Sequence, residues 1–304
     1  MAPFRFGLVH TPLTPFAGDI SVDFDRYARI IAFHLDNGAQ ALALPMHVGE
    51  SVSLSDAERR ALLEFALAQV AGRVPVLAHV TQSGTDTARA LAAHAEQAGA
   101  AAVICTTPYY WKPQPDMLLR HFTDIGAAVK IPYFLYNAPD EMGGTRITTA
   151  LVLGLIERLA NFAGVIDISL DWQFLIDVVS SARSVKPDFQ LVSGLEFLIS
   201  AGAVGAQGAF APHATIAPRL VARLYELCRA ERYHDARPAQ EEVARLYRAI
   251  RSRGAAGMKA AARAMRRDCG EPRPPILPLG EAAQRALADE ILQIHSVADE
   301  PKGW

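Results

Sequence analysis

Ala163-Gly164-Val165-Ile166-Asp167-Ile168-Ser169-Leu170-Asp171 reads as a short buried strand that runs into a polar turn, with a helix over residues 172–182 behind it. The same unit recurs on both sides. Short apolar runs at residues 6–10, 41–44, 74–80, 102–106, 131–136, 189–192 and 206–210 read as strands, and helical stretches follow them. Asp23 caps the first helix, whose inner face carries Tyr27, Ile30, Ile31 and His34 before Asn37-Gly38 ends it. Ser55-Asp56-Ala57-Glu58 has capping-box spacing and opens the second. Gly38-Ala39, Gly99-Ala100 and Gly202-Ala203 each end a helix and lead into an apolar strand, an internal repeat of the βα unit. Crossovers of this length build parallel sheets, so the eight alternations predict a (β/α)8 TIM barrel over residues 1–228. An open doubly wound sheet is the rival, but no G-x-G-x-x-G opens the first βα unit. Beyond the barrel, helical stretches divided by Gly254, by residues 272–278 and by Gly280 predict a C-terminal helical appendix over 229–304.

The chain has 304 residues, 51% of them hydrophobic and 20% charged, which is ample for a large core and unlike a disordered segment. A net charge of -2 offers no electrostatic footprint for nucleic acid or an anionic membrane. Arg251–Arg253 and Arg263–Arg267 alternate with apolar residues and read as solvated helix faces. Cys105, Cys228 and Cys269 share no metal-type spacing, so a reduced, cytoplasmic chain is expected. No apolar run suits a signal peptide or approaches the ~18 residues of a membrane span.

In a barrel of this kind the chemistry lies at the C-terminal ends of the strands. His10, His47 and His79 end or follow the first three strands. They are either a rim cluster, binding a divalent metal or acting as acid and base, or three separately hydrogen-bonded histidines. No cofactor is expected. Phe210 and Ile166 predict an apolar pocket floor.

Four stretches, in this order along nearly the whole chain, resemble the dihydrodipicolinate synthase and N-acetylneuraminate lyase family. They are Thr11-Pro12, Gly49-Glu50-Ser51 with Leu54-Ser55-Asp56-Ala57-Glu58-Arg59, Thr107-Pro108-Tyr109-Tyr110, and Leu135-Tyr136-Asn137-Ala138-Pro139. The resemblance implies a barrel with C-terminal helices, usually a homotetramer. It also implies class I aldolase chemistry, in which a strand-six lysine forms an imine with pyruvate or another 2-oxo acid. Tyr136 matches the family's proton-shuttling tyrosine, and Tyr110 the tyrosine lent across a subunit interface.

This chain departs from that pattern at the reactive positions. Gly164, Asp167, Ser169 and Asp171 fit the family frame, and Ile166 occupies the lysine's place. None of the five lysines, Lys112, Lys130, Lys186, Lys259 and Lys302, falls on an expected barrel strand. The family's Gly-Thr-Thr-Gly-Glu becomes Met46-His47-Val48-Gly49-Glu50, so His47 and Val48 replace the two hydroxyls. Glu141 stands where synthases carry an arginine, and His79 where a glycine ends strand three.

The expected catalytic residues are therefore Tyr136, His47 and Tyr110, and the expected ligand-binding residues Val48, Glu50, Glu141, Ile166, Phe210 and His79. Three readings stay open: a lyase or hydratase without a covalent intermediate, a catalytically silent metabolite-binding or regulatory barrel, and a partner subunit completing another chain's site. The resemblance alone adds a further alternative, a dihydrodipicolinate synthase-like protein. A small-molecule ligand and a homo-oligomer, tetramer or dimer, are expected throughout, with no nucleic acid or membrane partner.

Overall fold

The computed structural model describes residues 4–109, 112–140 and 143–304. Eight parallel strands close into a barrel in sequence order: β1 (Leu8–His10), β2 (Ala41–Leu44), β3 (Val76–His79), β4 (Ala102–Thr106), β5 (Tyr133–Asn137), β6 (Phe162–Asp167), β7 (Gln190–Gly194) and β8 (Gly208–Ala211), with β8 pairing back onto β1. Their helices form the outer ring: α1 (Phe24–Asp36), α2 (Asp56–Val70), α3 (Thr85–Ala98), α4 (Pro115–Gly126), α5 (Thr149–Arg158), α6 (Trp172–Val185), α7 (Leu198–Ala203) and α8 (Pro218–Arg229). After them come α9 (Tyr233–Arg251), α10 (Gly254–Ala264), α11 (Glu281–Leu292) and α12 (His295–Ala298). The strands are almost wholly buried because both faces are covered, by barrel filling inside and helices outside. Among the described residues, no helix is long and apolar enough to cross a membrane.

Local signals hold where caps decide them. Asp23 accepts from Arg26 N at the start of α1, and both halves of the Ser55–Glu58 capping box are present. The third Gly-Ala repeat is corrected: Gly202 and Ala203 lie inside α7, and the left-handed glycine that precedes β8 is Gly205, at φ +94°. Its neighbour Ala206 makes a second Gly-Ala pair three residues on, which composition does not separate from the first. Gly164 is needed for a different reason. A Cβ there would sit 2.0 Å from the Gln190 carbonyl oxygen, where β6 meets β7.

Two of the arginines expected on solvated faces are not free in solvent. Arg267 is fully buried, lies 4.2 Å over the Phe33 ring and donates to the carbonyls of Thr215, Ile216, Gly303 and Pro301. Its planar fork has enough donors to serve several backbone carbonyls at once, which helical spacing cannot reveal. Arg251 is half-exposed but ion-paired with Asp140 at 2.5 Å, tying the end of α9 to the loop after β5.

Candidate functional site

The C-terminal ends of β1, β2, β5, β7 and β8 open into a cavity of about 180 Å³, roofed by the α9–α10 turn. Met46, Val48, Phe210, Ile250 and Met258 make much of its wall apolar. Tyr136 projects from β5, and its hydroxyl lies 3.3 Å from His47 Nδ1, with the two rings stacked 6.2 Å apart. Val48 and Phe210 line the cavity, and Phe210 packs 6.1 Å from the Tyr136 ring. Burial pushes the His47 imidazole down to about 4, so it is neutral near pH 7. A phenol beside a neutral imidazole can give and take a proton without carrying charge into an apolar pocket.

Other expected residues take structural posts. Ile166 is fully buried as the register partner of Tyr136 and is not among the residues that line the cavity. Glu50 turns away: its backbone adopts φ +56°, and its carboxylate meets Lys259 of α10 at 2.7 Å and accepts from Arg273 N. Both side chains of that pair are buried, with Lys259 also 4.2 Å from the Phe16 ring. Glu50 therefore holds the C-terminal helices to the barrel and is not a wall of the cavity.

The three rim histidines do not converge. His10 Nδ1 faces His34 Nδ1 of α1 at 3.1 Å, while His79 contacts the Pro45 carbonyl and the Thr81 hydroxyl. Only His47 of the three reaches the cavity. Among the described residues no group of three or more His, Cys, Asp or Glu could hold a metal ion, so the metal-cluster expectation is set aside. Tyr110 and Glu141 lie outside the described residues.

The frame around Ile166 is intact as architecture. Asp167, at the end of β6, accepts from Asn137 Nδ2 at 2.6 Å and from the Ser169 amide and hydroxyl. Asn137 accepts from Ile147 N, the Ser169 hydroxyl accepts from Asp171 N, and Asp171 caps α6 through Phe174 N. Burial pushes the Asp167 carboxyl up to about 6, against the hydrogen bonds that favour its charged form. The Arg59 of the α2 motif likewise donates to the carbonyls of Thr81 and His79 at the end of β3.

Sequence reading placed Thr11 and His213 at strand ends without assigning them a role, and it missed the rest of the far side of the cavity. Thr11, Glu196, His213, Tyr247 and Arg251 all line it. The places of Thr11 and His213 after strands one and eight were legible, and His213 was a candidate to join the rim of histidines. Nothing in the linear chain announces Tyr247 or Arg251, because a helical appendix supplies them from far along the sequence.

A family model described as the dihydrodipicolinate synthetase family matches residues 5–294. A 4-hydroxy-tetrahydrodipicolinate synthase of Bartonella tribocorum is 32% identical, over 94% of this chain and 96% of its own. The enzyme of the same name from Methanopyrus kandleri is 30% identical, over 95% of this chain and 96% of its own. Among solved structures, YagE, a prophage protein of the dihydrodipicolinic acid synthase family from E. coli, solved in complex with pyruvate, superposes with a TM-score of 0.90 at 26% identity, covering 95% of this chain and 98% of that one.

Proposed function

This chain belongs to the dihydrodipicolinate synthetase family, and from that premise we propose that its barrel mouth takes a small carbonyl compound or hydroxy acid and acts on it as a lyase or hydratase, with no imine intermediate. The observation that carries the reading is the Tyr136–His47 contact inside a cavity on which no described lysine stands. Lys259, the one deeply buried lysine among the described residues, is ion-paired with Glu50. With isoleucine in the imine position, the remaining chemistry is proton transfer. His47 removes a proton beside the carbonyl, and the Tyr136 hydroxyl donates one to the oxygen that gains charge. A cavity of about 180 Å³ is below the roughly 300–1,000 Å³ of sites for drug-sized ligands, which suits a small substrate. Assembly as a homo-oligomer, with Tyr110 near a subunit boundary, is part of the same proposal.

The mostly apolar wall favours a second reading, a metabolite-binding barrel without turnover. Incubation with 2-oxobutanoate in heavy water, followed by proton NMR, separates the two. The lyase or hydratase reading expects deuterium to enter at the carbon beside the carbonyl. Tyr136→Phe and His47→Gln should slow that entry by about 10²-fold or more. Binding without exchange would favour the silent barrel. A borohydride-reduced adduct on any lysine, located by peptide mass, would sink both readings and restore the imine.

A further inference from the structure

Thr11 and His213 follow neighbouring strands of the closed sheet. The last register pair of β1 and β8 is His10 with Ala211, and Thr11 and His213 lie one and two residues past it. Both line the cavity and both residues are 2% exposed. Their polar atoms are nevertheless unmatched: Thr11 Oγ1 and His213 Nδ1 have no hydrogen-bond partner among the described residues. Buried polar atoms are rarely left so, and a ligand group is one way to satisfy them.

The imidazole is fixed in place. His213 sits in the short 3-10 turn Pro212–Thr215, its carbonyl accepts from Ile216 N and Ala217 N, and its ring packs edge-on against Tyr247 at 5.9 Å. Burial holds it down to about 4, so near pH 7 it is neutral. In an eight-stranded closed barrel β1 stands opposite β5, which places this pair across the mouth from Tyr136.

We propose that Thr11 and His213 form a second binding pole that holds a neutral hydroxyl of the ligand, across the cavity from the Tyr136–His47 pair. A hydroxyl suits two neutral partners because it can accept from one and donate to the other, and unlike a carboxylate it brings no charge to a pole of two neutral groups. The substrate class is then a small carbonyl compound with a hydroxyl a few carbons away. This rests on the reading above that the cavity is a ligand site.

The test compares 4-hydroxy-2-oxobutanoate with 2-oxobutanoate, probes that differ by that hydroxyl, using ligand-observed NMR titration. The wild type should bind the hydroxylated probe about tenfold tighter, the effect of an added pair of neutral hydrogen bonds. Thr11→Val and His213→Phe remove the polar atoms and should each shrink the preference to about twofold, read as the ratio of the two affinities in each variant. Equal affinity of the wild type for the two probes, or a preference that survives in both variants, would overturn the second pole. Either result would leave the Tyr136–His47 reading standing. Failure of the wild type to bind either probe would overturn both. Loss of deuterium exchange in Tyr136→Phe with the preference intact would support both as separate features.

Discussion

The two framing carboxylates of the barrel mouth, Glu50 and Asp167, and the polar groups inside it, Thr11, His47, Tyr136 and His213, are built on different terms. Glu50 meets a buried lysine and a backbone amide, and Asp167 collects donors from Asn137 and Ser169. Thr11 and His213, in contrast, carry polar atoms unmatched among the described residues, and the Tyr136–His47 contact is long for a hydrogen bond at 3.3 Å. Paired groups hold a fold together, and unmatched polar atoms in a cavity, here those of Thr11 and His213, are poised for something that enters. Much of the family signature in this chain belongs to the first kind. That explains how Gly164, Asp167, Ser169 and Asp171 can all be present around an isoleucine: their partners are strand, turn and helix cap, and none of them needs a reactive amine.

The sharpest way to break this contrast is Lys259→Met. It leaves Glu50 buried without its cation and should cost about 3–5 kcal/mol in urea unfolding. A loss below about 1 kcal/mol would show that the frame does not depend on the pair.

Acid should act next, through the buried histidines. His10 and His79 are pushed down to about 3 and His213 to about 4, and His34 is also lowered, all chiefly by burial. As pH falls below 6.5, the unfolded chain takes up protons that these folded imidazoles refuse, so stability is complete above 6.5 and declines towards 4. The slope is up to roughly 1.4 kcal/mol per pH unit for each histidine. Asp167 works in the opposite sense. Its carboxyl, raised from 3.8 to about 6, keeps a proton in the folded state across that window and offsets part of the loss. Urea midpoints at about pH 7 and about pH 5 check the balance, and equal midpoints would contradict it.

Asp167→Asn tests the frame more gently. Each carboxylate oxygen accepts from a donor, so one of them becomes an NH2 group facing another donor, at about 1–3 kcal/mol. Tyr136→Phe should have the smallest effect on stability, within about 1 kcal/mol, while slowing deuterium exchange by about 10²-fold or more. A Tyr136→Phe protein as unstable as Asp167→Asn would erase the distinction between frame and cavity.

Several of these features were legible in the chain and several were not. The Ser55–Glu58 capping box and the Asp23 cap were readable because both partners lie within one helical turn. Tyr136, His47, Val48 and Phe210 were readable as cavity residues because each sits at or just past a strand end, where the barrel points its chemistry. Glu50 and His79 were misplaced for the same reason. Strand-end position does not say which way a side chain leaves the backbone, and a left-handed residue or a nearby carbonyl redirects it. The His10–His34 contact joins a strand to the helix after it, a pairing that periodicity marks only as two buried positions.

By itself, the sequence determined the eight βα units, their parallel closure, and the frame of Gly164, Asp167, Ser169 and Asp171 around an isoleucine at position 166. All of these depend on residue type and on spacing within a few turns of chain. Only the tertiary structure decided that Lys259 neutralises Glu50, that Arg251 and Tyr247 line the cavity, and that Thr11 and His213 share one cavity beside the β8–β1 seam. Those contacts join groups far apart in sequence, and closing the barrel and docking the C-terminal helices is what brings them within reach.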